Sequence, residues 1–420
     1  MNPEELLKES FDIVHQSAHP ENCVQTFIPE KPDHGRLIVV GAGKASAAMA
    51  AALEEYYDGA IEGIIVTRYG HSVPTHKIKV LEAAHPVPDE ACVIAVEEIT
   101  SLLRTVKEKD TIICLISGGG SSLLTAPVDG LDFNILQDLN KQLLKSGAPI
   151  QEINVVRKHL NKALGGGLVN YANGAKMITL AISDVTGDDP SIIASGATVV
   201  DPSTLEDARA ILEKYNIDCD EAVLKTLENP ENETPKPDDL MFKNNEYHLI
   251  ATPKTALNVA AKFWKSKGFH PHILDPEMEG DTNSCALKHV ETIEKICSRE
   301  IDIPLPCALL SGGETTVHVT GSGEGGPNTQ FMLQTAIALN GHGKVYGLAC
   351  DTDGVDGSAD NAGAMITPNT LNKAIARDIN PQAFLNNNDS YHFFENIDGL
   401  VKTGPTHTNV NDYRVFLLMP

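Results

Sequence analysis

Two stretches of the chain join a buried apolar run to a cluster of serine and glycine. Thr111–Ile116 leads into Ser117-Gly118-Gly119-Gly120-Ser121-Ser122, and Ala308–Leu310 leads into Ser311-Gly312-Gly313-Glu314. A glycine turn lets backbone or ligand approach where a Cβ would clash, and its N–H groups and neighbouring hydroxyls suit a phosphate or carboxylate. A third turn, Gly41-Ala42-Gly43-Lys44, follows the apolar run Leu37–Val40 and opens an alanine-rich stretch. Lys44 there could reach a bound phosphate; the plainer reading is a packing turn with a solvated lysine. The turn is not a Walker A loop, because Ala45 follows Lys44 and no glycine stands five positions before Gly43. Ser46 also takes the place of the third glycine of a dinucleotide fingerprint.

Carboxylates gather at two places. Asp351, Asp353 and Asp356 follow the apolar run Val345–Cys350, and Asp184, Asp188 and Asp189 follow Met177–Ile182. Such clusters at strand ends hold Mg²⁺ through one or two carboxylates, with substrate phosphates and water completing the shell. Asx turns in a surface loop are the alternative. The expected metal ligands are Asp351 and Asp353. Cations are concentrated at Arg157, Lys158 and Lys162, with His159 beside them. A solvated basic helix face would explain them equally. The formal charge of −24 argues against nucleic acid and anionic membrane as partners, so a polyphosphate would need these local cations or a metal.

The elements that must position these groups alternate as in α/β proteins. Strands are expected at 37–40, 63–67, 78–83, 111–116, 177–182, 307–310, 316–319 and 345–350. Helices are expected at 3–18, 131–146, 150–164 and 254–267. At 420 residues the chain exceeds one core, and two domains are expected, 1–240 and 241–420. Asn229–Asn245, rich in proline and acidic residues, reads as the linker. The eight cysteines show no CxxC pair, so neither zinc nor a disulfide framework is indicated. No signal peptide or membrane span is apparent at the sequence level, and a cytoplasmic location is expected.

Taken together, Val39-Val-Gly41-Ala-Gly43-Lys44-Ala45, Leu115–Ser122, Asn154-x-x-Arg157-Lys-His-Leu160, Ile182–Pro190 and Ala194-Ser-Gly196 resemble the class II glycerate kinases. Ser311–Thr316, Thr352–Gly357, Asn388–Tyr391 and Thr403–Val410 are similar to that family's C-terminal, MOFRL-type domain. The resemblance runs from about Phe11 to the end. It implies a Rossmann-like α/β/α N-terminal domain, a smaller α/β C-terminal domain, and a site in the cleft between. It also implies transfer of the ATP γ-phosphoryl group to D-glycerate with Mg²⁺. Archaeal members of the family make 2-phosphoglycerate, the product expected here; others make the 3-phosphate.

On this resemblance the catalytic residues are Lys44, Arg157, Asp184 and Asp351. Nucleotide and glycerate would be held by Gly41, Gly43, Ser117, Gly118, Gly119, Gly120, Ser121, Ser122, Asp189, Ser311, Gly312, Gly313, Glu314, Asn328, Thr408 and Asn409. There are two departures. Where the family shows Lys-Gly-Gly-Arg after the histidine, this chain has Leu164-Gly165-Gly166-Gly167. Where the family carries Gly-Gly-Arg-Asn-Gln-Glu, this chain has Gly325-Gly326-Pro327-Asn328-Thr329-Gln330, and Arg157 is the natural substitute for the missing arginine. An NADP-dependent hydroxypyruvate reductase and a non-catalytic nucleotide-binding protein are the rival readings. No acidic residue follows the second strand to hold the ribose of NAD, and Arg68 keeps only an NADP version open. The sequence admits a homodimer without specifying one.

Overall fold

A computed structural model describes residues 2–31, 35–342 and 344–420. The chain divides into two compact units, Pro20–Ile250 and Met1–His19 with Ala251–Pro420.

In Pro20–Ile250 the apolar runs form strands β1 (Leu37–Ala42), β2 (Ile61–Arg68), β3 (Ile78–Ala83), β4 (Thr111–Ile116) and β5 (Lys176–Ile182). With β6 (Glu246–Ala251) they make one sheet in the order β3-β2-β1-β4-β5-β6. β1 pairs in parallel with β2 and β4, β2 with β3, and β4 with β5. Every residue of β1 is buried, as a parallel strand covered on both faces requires. The strand order reverses between β1 and β4, the switch point at which α/β sheets bind ligands. The turns Gly43–Lys44 and Ser117–Ser122 both leave from that point.

Two helices stand beside this end of the sheet, and their sequence spacing splits each into two faces. In Phe133–Lys145, Leu136, Leu139 and Leu143 are buried in a satellite core with Ile153, Val156 and Leu160 of the next helical segment. In Ile150–His159 the residues left on the other side are Ile150, Asn154 and Arg157, again three and four apart. This helix ends earlier than expected. Beyond Leu160, the Asn161 side chain accepts from the Ala163 N–H at 2.8 Å and turns the chain, so Lys162 is not on the helix.

The segment 229–245 is not a free linker. Thr234 and Pro235 are buried, the Thr234 hydroxyl donates to Asp201 at 3.1 Å, and the Asp201 N–H donates to the Pro235 carbonyl at 3.0 Å. The expected division at 240/241 falls ahead of β6, which completes the first sheet.

The other unit contains β7 (His270–Asp275), β8 (Gly280–Asp281), β9 (Cys307–Ser311), β10 (Thr315–Thr316), β11 (Val345–Asp351), β12 (Gly363–Ile366), β13 (Leu400–Val401) and β14 (Asp412–Leu418). Its main sheet runs β13-β12-β11-β14-β9-β7, antiparallel except for the β7/β9 pair. The strand expected at 316–319 is only the two-residue β10. The N-terminal helix Pro3–Ala18 belongs to this unit: Tyr413 donates to Ser10 at 3.2 Å, and Lys267 pairs with Glu9 at 2.8 Å. That contact joins residues too distant in sequence for any local pattern to reveal.

Among the described residues no helix is long and apolar enough to cross a membrane. Cys114, Cys307 and Cys350 are buried and free; burial pushes the Cys114 and Cys307 thiols up to about 12.

Candidate active site

The turns at the β1/β4 switch point lock onto each other. The Lys44 N–H donates to the Gly118 carbonyl at 2.8 Å, and the Ala45 N–H donates to the Ser117 hydroxyl at 2.9 Å. The Gly43 N–H donates to Val66 O, and the Ser46 N–H donates to Gly43 O. A Cβ on Gly43 would lie 2.1 Å from the Ser117 hydroxyl oxygen, which is why only glycine fits. The backbone donors of the first turn are therefore engaged, and Gly41, Gly43 and Ser117 build the turn rather than present N–H groups to a phosphate. Gly118 contributes through its carbonyl as an acceptor for the turn.

The second turn is more open. Among the described residues the N–H groups of Gly118, Gly119 and Ser121 have no intramolecular partner. Gly119, Ser121 and Ser122 line a cavity of about 360 Å³ that also includes the loop His85–Pro88 and both helices described above. Gly119 adopts φ +83°, and a Cβ there would strike the His85 ring at 2.9 Å. Ser122 donates to the Pro86 carbonyl at 2.9 Å, and Ser195 donates to the Ser121 hydroxyl at 2.8 Å. Ser195 and Ala194 both take positive φ, 51° and 47°, in the turn that packs on Gly120. Two consecutive non-glycine residues in that region mark a backbone held by its surroundings.

The three cations separate in the fold. Lys158 is buried and pairs with Asp201 at 3.4 Å, and Lys162 pairs with Glu97 at 2.6 Å and Asp129 at 2.9 Å. His159 is a core histidine, bonded to Val155 O at 2.9 Å and to Glu233 at 3.0 Å. Only Arg157 faces the cavity. Its Nε donates to Asn140 at 2.9 Å, and among the described residues no carboxylate pairs with it. Burial alone pulls its guanidinium below the ordinary value, with no neighbouring charge opposing the shift. A partly desolvated cation without a counter-charge is prepared for an anionic ligand. The other wall, formed by His85–Pro88, Gln137 and Asn140, was missed by sequence reasoning. Only the i, i+3, i+4 spacing of Gln137, Asn140 and Lys141 opposite the leucines could have pointed to it.

Asp184 lies just beyond the carboxyl end of β5, while Asp189 is exposed and accepts from the Ser191 N–H at 2.8 Å.

In the unit with residues 251–420 the loops rest on a buried polar network. The Arg414 guanidinium donates to Gly312 O at 2.8 Å, bonds Asp412, and lies over the Phe331 ring. Asn328 donates to Asp412 at 2.6 Å. Asp356 accepts from the Asn328 and Thr329 N–H groups, both at 2.8 Å, and so caps the helix Pro327–Leu339; burial pushes its carboxyl up to about 6. The expected three-carboxylate cluster therefore loses Asp356. Asp351 and Asp353 accept from the N–H groups of Asp353 and Val355, both at 2.9 Å, so the Asx-turn reading holds for those oxygens. Among the described residues no group of three or more His, Cys, Asp or Glu forms a metal cage. Thr408 donates to Ala18 O at 2.7 Å and ties down the N-terminal helix, and Asn409 accepts from the Asn411 N–H at 3.0 Å. Glu314 is exposed, and Gly313 O accepts from the Asp412 N–H at 3.2 Å.

Residues 6–228 match a family described as a domain of unknown function, DUF4147, and residues 307–412 match the MOFRL family. A protein from Thermotoga maritima named D-glycerate 2-kinase is 38% identical over 100% of both chains. The chain belongs to the MOFRL-containing glycerate kinase family. A crystal structure of glycerate kinase from the same organism superposes with a TM-score of 0.91, covering 99% of this chain and 100% of that one. A relative from Agrobacterium vitis, 44% identical over 99% of this chain and 94% of its own length, bears the name "Putative hydroxypyruvate reductase". Within this family frame, Ser311 is a support rather than a free hydroxyl. It bonds the His289 Nε2 at 2.8 Å, and His289 Nδ1 bonds Cys285 O at 3.0 Å.

Burial pushes His289 down from 6.5 to about 4. The unfolded chain takes up a proton near 6.5 that the folded chain refuses until about 4, so this histidine costs stability as pH falls through that window. The cost is zero at neutral pH and reaches about 3 kcal/mol near pH 4. His289→Gln is expected to flatten the acid limb of stability against pH by that amount. Curves of the same slope for variant and wild type would show that His289 is protonated in the fold.

Proposed function

We propose that this chain is an ATP-dependent kinase that phosphorylates D-glycerate to 2-phosphoglycerate, with Mg²⁺, in the cytoplasm. The observation that carries the reading is Arg157, a partly buried cation without a counter-charge in a cavity beside the Ser117–Ser122 turn. In a protein of net charge −24, such a group gives an anion a local attraction that the overall field does not. Phosphoryl transfer asks mainly for positioning and neutralisation of charge. Arg157 would steady the transferring phosphoryl group in place of the arginine that Pro327 displaces. Lys44, at the start of the helix after β1, would neutralise phosphate charge. Asp184 or Asp351 would accept the proton of the substrate hydroxyl.

Asp351 and Asp353 suit Mg²⁺, which takes one or two carboxylates and completes its shell with phosphate oxygens and water. Bound there, the ion would neutralise charge on the polyphosphate. Asp351→Asn keeps the acceptor for the Asp353 N–H but loses the charge. The Mg²⁺ concentration giving half-maximal rate is expected to rise about tenfold, in line with a loss of order 1–2 kcal/mol. An unchanged Mg²⁺ titration would leave Asp351 with its turn alone.

The reductase name of the Agrobacterium relative supports a second reading. Against it, the N–H groups of the Gly43 turn are bonded internally, and β2 ends at Arg68 with no carboxylate for a ribose. Incubation with D-glycerate, ATP and Mg²⁺, followed by ³¹P NMR, tests the kinase. A phosphomonoester on C2 is the expected product. Oxidation of NADPH by hydroxypyruvate without that product would replace the kinase reading with the reductase.

A further inference from the structure

We infer that the cavity between the Ser117–Ser122 turn and the helices Phe133–Lys145 and Ile150–His159 takes the base and ribose of the nucleotide, with Arg157 on its phosphates. The inference rests on the kinase reading for the identity of the nucleotide, and on the cavity alone for its chemistry. The first observation is size. About 360 Å³ matches the ~300–1,000 Å³ range of pockets for drug-sized ligands, and glycerate, a three-carbon acid, would leave most of it empty.

The second is the rim. Val87, Leu144 and Ile150 line the opening yet stay 63%, 61% and 46% exposed. Three large apolar side chains around one mouth favour a ligand with an apolar face to cover them. A purine ring has such a face. Glycerate, with oxygen on every carbon, has none.

The third is the polar lining. Asn154 is buried at 8% exposure, lines the cavity, and has no hydrogen-bond partner for its side chain among the described residues. A neutral amide sets an NH₂ donor group beside a carbonyl acceptor, the pair that reads the N6/N7 edge of adenine. A carboxylate would leave half of that amide unmatched. Lys141, the other cation in the lining, is paired with Asp138 at 2.8 Å, so Arg157 is the anchor for charge. Apolar mouth, unpartnered amide and single unpaired cation follow the order of base and phosphate along a nucleotide.

Binding of a methylanthraniloyl-labelled ADP to the full chain, followed by fluorescence, tests this without any turnover. Asn154→Ala, and separately Val87→Ser and Ile150→Ser at the exposed rim, are expected to weaken binding about 5–20-fold. The KM for ATP should rise in parallel while the KM for D-glycerate moves less than about twofold. Arg157→Ala should weaken labelled ADP but leave competition by unlabelled adenosine unchanged. A raised KM for D-glycerate with unaltered ADP binding would place the acid in the cavity and overturn the inference, leaving the kinase reading intact. ADP binding lost in the variants of a protein that never phosphorylates glycerate would sink the kinase reading and keep the nucleotide pocket. The rim variants, at exposed positions, keep the test decisive if Asn154→Ala fails to fold.

Discussion

Arg157→Ala is expected to lower kcat for D-glycerate phosphorylation about 10³-fold, or roughly 4 kcal/mol of transition-state stabilisation. Phosphoryl transfer concentrates charge on the equatorial oxygens, and a guanidinium supplied at that moment acts in a partly dehydrated cavity. The two cations next to it in sequence are engaged elsewhere: Lys158 and Lys162 are held by Asp201, Glu97 and Asp129, and Pro327 stands where the family carries arginine. Arg157→Lys should recover only part of the loss, since a point charge lacks the planar fork of donors. Stability should change little. The single bond from Nε to Asn140 is worth about 1 kcal/mol, and removing an unpaired, partly buried cation offsets some of that. A variant that turns over at a near-normal rate would exclude Arg157 from the chemistry.

Arg414→Met should destabilise the unit with residues 251–420 by about 3–5 kcal/mol, the cost of stranding a buried charge. Arg414 is fully buried, and its loss leaves Asp412 without its counter-charge and Gly312 O without a donor. Burial already pushes the Asp412 carboxyl up, with Arg414 opposing the shift, so Asp412 should take up a proton in the variant. The single tryptophan is a local probe. Trp264 is buried in this unit and donates to Tyr413 at 3.0 Å, one residue from Arg414. Urea unfolding followed by its fluorescence should show the midpoint falling, and Asp412→Asn in the Arg414→Met background should recover part of the loss. An unshifted midpoint would mean that the network adds nothing to the stability of these loops.

The roles of neighbouring charges show the limit of reading a chain alone. Arg157, Lys158 and Lys162 are equivalent as letters. They diverge because a helix turns 100° per residue and ends at His159, so one faces a cavity, one a buried aspartate and one a surface pair. Asp351, Asp353 and Asp356 diverge likewise, since only Asp356 reaches the N-terminus of the helix Pro327–Leu339. Thr408, offered by sequence as a ligand group, is a strut for the helix Pro3–Ala18.

By itself the sequence determined what is local. The apolar runs became β1, β4, β5, β9 and β11, because continuous burial on both faces needs no distant information beyond a sheet to join. The glycine turns appeared where expected, since only glycine fits the 2.1 Å approach at Gly43 and the φ of +83° at Gly119. The long, ordered motifs also carried the family. Tertiary structure alone decided the rest: the order β3-β2-β1-β4-β5-β6, the docking of 229–245 onto the first unit, and the N-terminal helix folding with the C-terminal half. It also decided which polar group is free for a ligand. Hydrogen bonds and ion pairs are satisfied by whatever side chain arrives from elsewhere in the chain, so the availability of Arg157 and Asn154 is a property of the fold, not of their local sequence.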